Sequence, residues 1–156
     1  MHKRFAALVI LAALGLHATV PLNPFQPKVQ IEKITREMSI DKLKQQNREL
    51  VQKAVEGLNE NLPQRVDALT QFVGVEGNGT NLTYLFDVEA GPKSDATLQK
   101  EGAAMAPRIR QGICATAKRF LQADITLTYR YRSHATQQTI LEVDVNKTQC
   151  NWYGKE

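Results

Sequence analysis

Few side chains in this sequence could do chemistry beyond simple acid, base or ionic work: two cysteines and three histidines. Cys114 closes the run IRQGIC, and Cys150 follows it 36 positions later, near the end of the chain. A structural zinc site needs four nitrogen or sulfur ligands, and a cysteine nucleophile needs a neighbouring base. His2 and His17 fall in the N-terminal apolar segment, so His134, in the polar turn SHATQ, is the one histidine left for the main body. Nothing in its spacing pairs it with either cysteine. Metal binding and cysteine catalysis are therefore not expected, and no CxxC redox motif is present.

The carboxylates give no better case for acid–base work. Glu142 and Asp144 alternate with Val143 and Val145, and Asp87 and Glu89 sit on or beside another strand-like run. That is the pattern of the wet side of a sheet. With no Ser/His/Asp set and no phosphate-binding glycine loop, the expectation is a protein that is not an enzyme and carries no cofactor. In an exported chain an even pair of cysteines reads as a disulfide, here Cys114 to Cys150.

Export is what the first residues predict. Lys3 and Arg4 precede an uncharged apolar run from Phe5 to Leu16, the build of a secretory signal. A bilayer span takes roughly 18 or more apolar residues, so this run is short for a transmembrane helix. We read residues 1–18 as a cleaved signal peptide, with membrane attachment only through an uncleaved leader. Residues 19–38, with Pro21, Pro24 and Pro27, read as an extended tether. Residues 39–150 form a single domain and residues 151–156 a short tail. The expected location is the periplasm, or outside the cell, of a bacterium.

Removing Lys3 and Arg4 leaves 18 basic against 16 acidic side chains, a net charge near +2. The basic residues are scattered rather than striped, which excludes a nucleic-acid surface. The apolar fraction of 42% supplies one core for a chain of this size.

The elements that must position any site follow from periodicity. Leu43, Leu50, Val51, Ala54, Val55 and Leu58 mark one face of a helix that starts near Ser39 and ends at Pro63. Two β-rich runs flank EGNGTN, where Asn78-Gly79 suits a tight hairpin turn. In the second run Leu82, Tyr84, Phe86 and Val88 share one face. A second helix starts near Asp95 with Met105, Ile109 and Ile113 at four-residue steps, and Pro107 is expected to kink or restart it. A turn through ATAKRFLQ leads to a second hairpin, with Ile125, Leu127, Tyr129 and Tyr131 on one face and Leu141, Val143 and Val145 beyond it. The order helix, strand, strand, helix, strand, strand gives an α+β domain: an antiparallel sheet of about four strands, helices on one face, one disulfide.

Three other motifs read as local structure. The N-x-T sequons at Asn78, Asn81 and Asn146 are turn and strand residues, and QFVGVEG misses the cystatin Q-x-V-x-G loop because Val75 stands where glycine belongs. TYRYRSH interleaves Tyr129 and Tyr131 with Arg130 and Arg132. These four residues are the candidate partner-binding face, although alternation sends the tyrosines to one side of the strand and the arginines to the other. A cationic arginine side would suit an acidic protein or lipid headgroups.

Taken together, the helix ending Asn61-Leu62-Pro63, the NGT hairpin with LTYLFDV, the helix ending at Cys114, ITLTYRYRS, and the terminal Thr148-Gln149-Cys150 resemble type II secretion pilotins of the AspS kind over about residues 45–150. The resemblance implies a small periplasmic domain that binds the C-terminal helix of a secretin subunit and escorts it to the outer membrane. Pilotins are lipoproteins, and this sequence has no lipidation cysteine after its leader, so lipid-dependent escort is not implied here. The expected function is a non-enzymatic protein-binding or secretion-assembly accessory with a protein or peptide partner in the cell envelope. The alternative is a periplasmic inhibitor or immunity protein against a toxin or hydrolase.

Overall fold

The computed structural model describes residues 40–152. The proposed signal peptide, the tether and the last four residues lie outside them. The elements run α1 (Ile40–Asn59), β1 (Gln64–Arg65), β2 (Thr70–Asn78), β3 (Asn81–Val88), α2 (Asp95–Thr116), α3 (Lys118–Gln122), β4 (Thr126–Ser133), β5 (Thr139–Val145) and a 3₁₀ turn at Lys147–Gln149.

The five strands form one sheet in sequence order. The expected architecture holds as α+β with helices on one face, with two corrections. There are five strands rather than about four, because the two-residue β1 pairs Gln64 and Arg65 with Phe72 and Gln71. The sheet is mixed rather than antiparallel: β3 and β4 run parallel, with Leu82 opposite Leu127 and Phe86 opposite Tyr131. The physical reason is helix length. The 22 residues of α2 span about 33 Å, more than the roughly 26 Å of an eight-residue strand. The chain is thus carried back past the strand it left, and β4 starts at the same end as β3.

Both long helices bury their stripes on the same side of the sheet. Val51 and Ala54 of α1 and Ile109 and Ile113 of α2 share one core with Phe72, Leu82, Tyr84, Leu127, Tyr129 and Val143. At Gly77 of β2 a Cβ would stand 2.8 Å from Val51 Cγ1 and 2.9 Å from Val55 Cγ2, so only glycine lets α1 lie this close. Asn47 of α1 donates to the Ala123 carbonyl, 2.6 Å away, fastening α1 to the entry of β4.

Local signals explain the borders. The hairpin between β2 and β3 turns at Gly79, whose φ of +61° is a conformation glycine adopts without cost. Ser94 caps α2 by accepting from the Thr97 amide. Pro107 does not restart this helix, which is continuous from Asp95 to Thr116. It stands on the exposed side with Ala103, where the carbonyl that loses its partner can turn to water. The segment expected to be a turn, ATAKRFLQ, instead contains α3.

Candidate partner-binding surfaces

The two faces of the sheet differ in kind. On the covered face the rings form a continuous row. Phe72 stacks on Phe86 at 5.2 Å, Tyr84 on Tyr129 at 4.9 Å, and Phe86 on Tyr131 at 4.8 Å between centroids. Phe86 also meets Tyr129 at 5.7 Å. Strand alternation places these rings inward, and the parallel register of β3 and β4 sets them side by side.

Burial changes how these tyrosines titrate. Desolvation pushes the Tyr84 hydroxyl up to about 12. Tyr129 is raised well above its ordinary value by burial first, then by the neighbouring Tyr84 and Tyr131 hydroxyls. Burial raises Tyr131 as well, with Asp67 adding to it. The sign for stability follows from linkage: groups raised in the folded state contribute fully below their unfolded value near 10 and lose that contribution as pH climbs through the folded value. Stability is therefore expected to fall from about pH 10 upward. The check is to follow tyrosinate absorbance and near-UV circular dichroism together. The buried tyrosinates appear only as the dichroism is lost; titration near pH 10 with the fold intact would contradict this.

The other face of the sheet is open and carries the arginines. Arg130 Nε donates to Glu142 Oε2 at 2.6 Å, and Arg130 Nη1 lies 3.9 Å from Glu76 Oε2. Arg132 reaches Asp87 Oδ1 through Nε at 3.1 Å and Nη2 at 2.8 Å. Thr128 Oγ1 donates to Asp144 Oδ1 at 2.5 Å. Cross-strand register sets Arg130 opposite Glu142, Thr128 opposite Asp144 and Arg132 opposite Asp87, whereas Glu76 approaches Arg130 from β2, across β3. Four carboxylates thus surround two arginines, so the face expected to be cationic is acidic on balance. Leu85 lies among them, almost fully covered and resting against Gly74.

The four residues of the candidate face therefore divide. Arg130 and Arg132 lie on the open face, Tyr131 is half-buried at the end of the ring row, and Tyr129 is sealed in the core. His134 is exposed, with Nδ1 3.8 Å from Asp87 Oδ2. Among the described residues, no group of three or more His, Cys, Asp or Glu side chains could hold a metal ion.

Cys114 and Cys150 are joined in a disulfide, as expected, with Cα atoms 5.4 Å apart. Trp152 seals the staple by donating from Nε1 to the Cys114 carbonyl at 2.9 Å, and the Lys118 ammonium lies 5.8 Å from its ring centroid. Trp152 lies beyond the last periodic segment, so no sequence pattern announces this role.

Asn59 was equally silent. Its side-chain amide accepts from the Val75 amide at 2.9 Å and donates to the Val75 carbonyl at 2.8 Å, acting as a missing strand beside β2. A carboxamide at the end of a helix has no periodic signature that announces such a contact. Asn59→Ala leaves both groups of Val75 without this partner and is expected to cost about 1–3 kcal/mol in chemical denaturation. An unchanged denaturation midpoint would show that water replaces the amide fully.

The folded domain is a small α+β unit with the fold of type II secretion pilotins. The pilotin AspS of Vibrio cholerae superposes with a TM-score of 0.51 at 13% identity, over 72% of this chain and 100% of that one. EpsS, the pilotin of the Vibrio vulnificus type 2 secretion system, superposes with a TM-score of 0.55 at 13% identity, over 70% of this chain and 96% of that one. A Pseudomonas aeruginosa protein described as secreted superposes at 0.61 with 14% identity, over 72% of this chain and 98% of that one. No protein-family model and no curated protein matches the sequence. No helix among the described residues is long and apolar enough to cross a membrane.

Proposed function

We propose that this chain is an exported accessory of secretion-system assembly that acts by binding a protein in the cell envelope rather than by catalysis. The observation that carries the reading is the likeness to two pilotins over nearly their whole length. The charged open face and the lack of a catalytic constellation in the sequence agree with a binding role. In this reading residues 1–18 direct export and are removed, residues 19–38 space the domain from its point of emergence, and residues 39–150 do the binding. Arg130, Arg132 and Tyr131 are the members of the candidate face that a partner can touch. Tyr129 supports them from within by fixing the ring row.

The test is retention of a defined partner. The tagged full-length chain, expressed in its native cells and recovered from the envelope fraction, should retain a secretin subunit identified by mass spectrometry. Recovery of a bound small molecule with no protein partner would overturn the reading.

A further inference from the structure

The two borders of the sheet are finished differently. On the β2 side, β1 pairs with Gln71 and Phe72, and the Asn59 amide occupies both peptide groups of Val75. On the β5 side the first half is closed. Gln99 donates to the Thr139 carbonyl, Ile140 is displaced by a register shift, and Gly102 lets α2 close on Ile140 and Leu141. From Glu142 to Val145, no hydrogen bond from another described residue reaches the outer edge of the strand. An edge of that kind is a template for one more strand.

The side chains on this edge decide what can join it. Glu142 and Asp144 are exposed on the open face, one at each end of Val143. If a second copy of this chain paired through β5, these carboxylates would meet their own counterparts, and like charges directly opposite destabilise a sheet. Arg130 and Thr128 each engage one oxygen of these carboxylates, Glu142 Oε2 and Asp144 Oδ1. The second oxygen of each remains to meet a cation from a new neighbour.

We infer that the Glu142–Val145 edge of β5 accepts an extended segment of a partner protein carrying lysine or arginine at alternate positions. The basic side chains would face Glu142 and Asp144, and the intervening residues would face the side of Val143 and Val145. The inference rests on the edge and its charges and is independent of the secretion reading above.

The experiment uses the full chain with two capped probe peptides, one alternating lysine with valine and one alternating glutamate with valine. Binding is measured by titration, and backbone amide exchange is followed across residues 141–145. The lysine peptide should bind and slow exchange there, and the glutamate peptide should not. In the variant Glu142→Lys/Asp144→Lys the lysine peptide should weaken by about tenfold while the glutamate peptide now binds. That exchange of preference cannot come from misfolding. Equal binding of both peptides to the natural chain, or no slowing at 141–145, would overturn the inference. So would slow exchange of every amide in 141–145 without peptide, since the edge would then already be covered by another part of the chain.

Discussion

Replacing both Cys114 and Cys150 with serine is expected to lower the unfolding free energy by about 4 kcal/mol, the loop-entropy value for a closure of this length. The sequence separation of 36 residues sets the size of the loop. What the staple joins sets its consequence. Cys114 is in the last turn of α2, and Cys150 follows the 3₁₀ turn after β5, so the bond ties the crossover helix to the far border of the sheet. A domain of this size has about 5–15 kcal/mol in all, so the reduced protein should remain marginally folded or open at its C-terminal end. Trp152 reports directly, because its indole is held on the Cys114 carbonyl and a nearby disulfide quenches indole emission. Reduction is expected to raise tryptophan emission and to shift the denaturation midpoint downward together. A midpoint unchanged by reduction would show that the Trp152 contact and α2 packing hold this end without the bond.

Phe86→Ala is expected to cost about 3–5 kcal/mol, the range for emptying a large aromatic site in a core. Phe86 is 1% exposed and stands at the crossing of the ring row, touching Phe72, Tyr129 and Tyr131. Its removal takes out both the buried area and the stacking that holds Tyr131 at the surface end. Tyr129→Phe is the control. The Tyr129 hydroxyl is buried and has no hydrogen-bond partner among the described residues, so deleting it should leave stability unchanged or slightly raised. Equilibrium denaturation of the two variants checks the pair. A small loss for Phe86→Ala with a large loss for Tyr129→Phe would mean that a polar contact, rather than ring packing, organises this layer.

What the sequence made legible was periodic or covalent. The alternation of Leu82, Tyr84, Phe86 and Val88 located β3 and its buried side, and the Ile109–Ile113 step located the core stripe of α2. The cysteine pair predicted the disulfide. Short elements escaped because they carry no period: β1 is two residues long and α3 five. The parallel pairing of β3 with β4 escaped for another reason. Two hairpins in series suggest an antiparallel meander unless the length of the intervening helix is weighed against that of the strands. At the candidate surface, alternation correctly split the arginines from the tyrosines. The charge balance of the open face depended on which carboxylates lie across from Arg130 and Arg132. That is a matter of register between strands distant in sequence, set by tertiary packing rather than by any local pattern. Asn59 and Trp152 act through contacts with residues distant in sequence and were invisible for the same reason.

The proposed part of this chain in secretion-complex assembly is tested most directly in the cells that encode it. The amount of assembled secretin in the outer-membrane fraction is quantified with the gene intact, deleted and restored. The account predicts that deletion lowers the assembled secretin and leaves subunits in the inner-membrane fraction, and that restoration reverses both. Unchanged assembly and location of the secretin on deletion would contradict it.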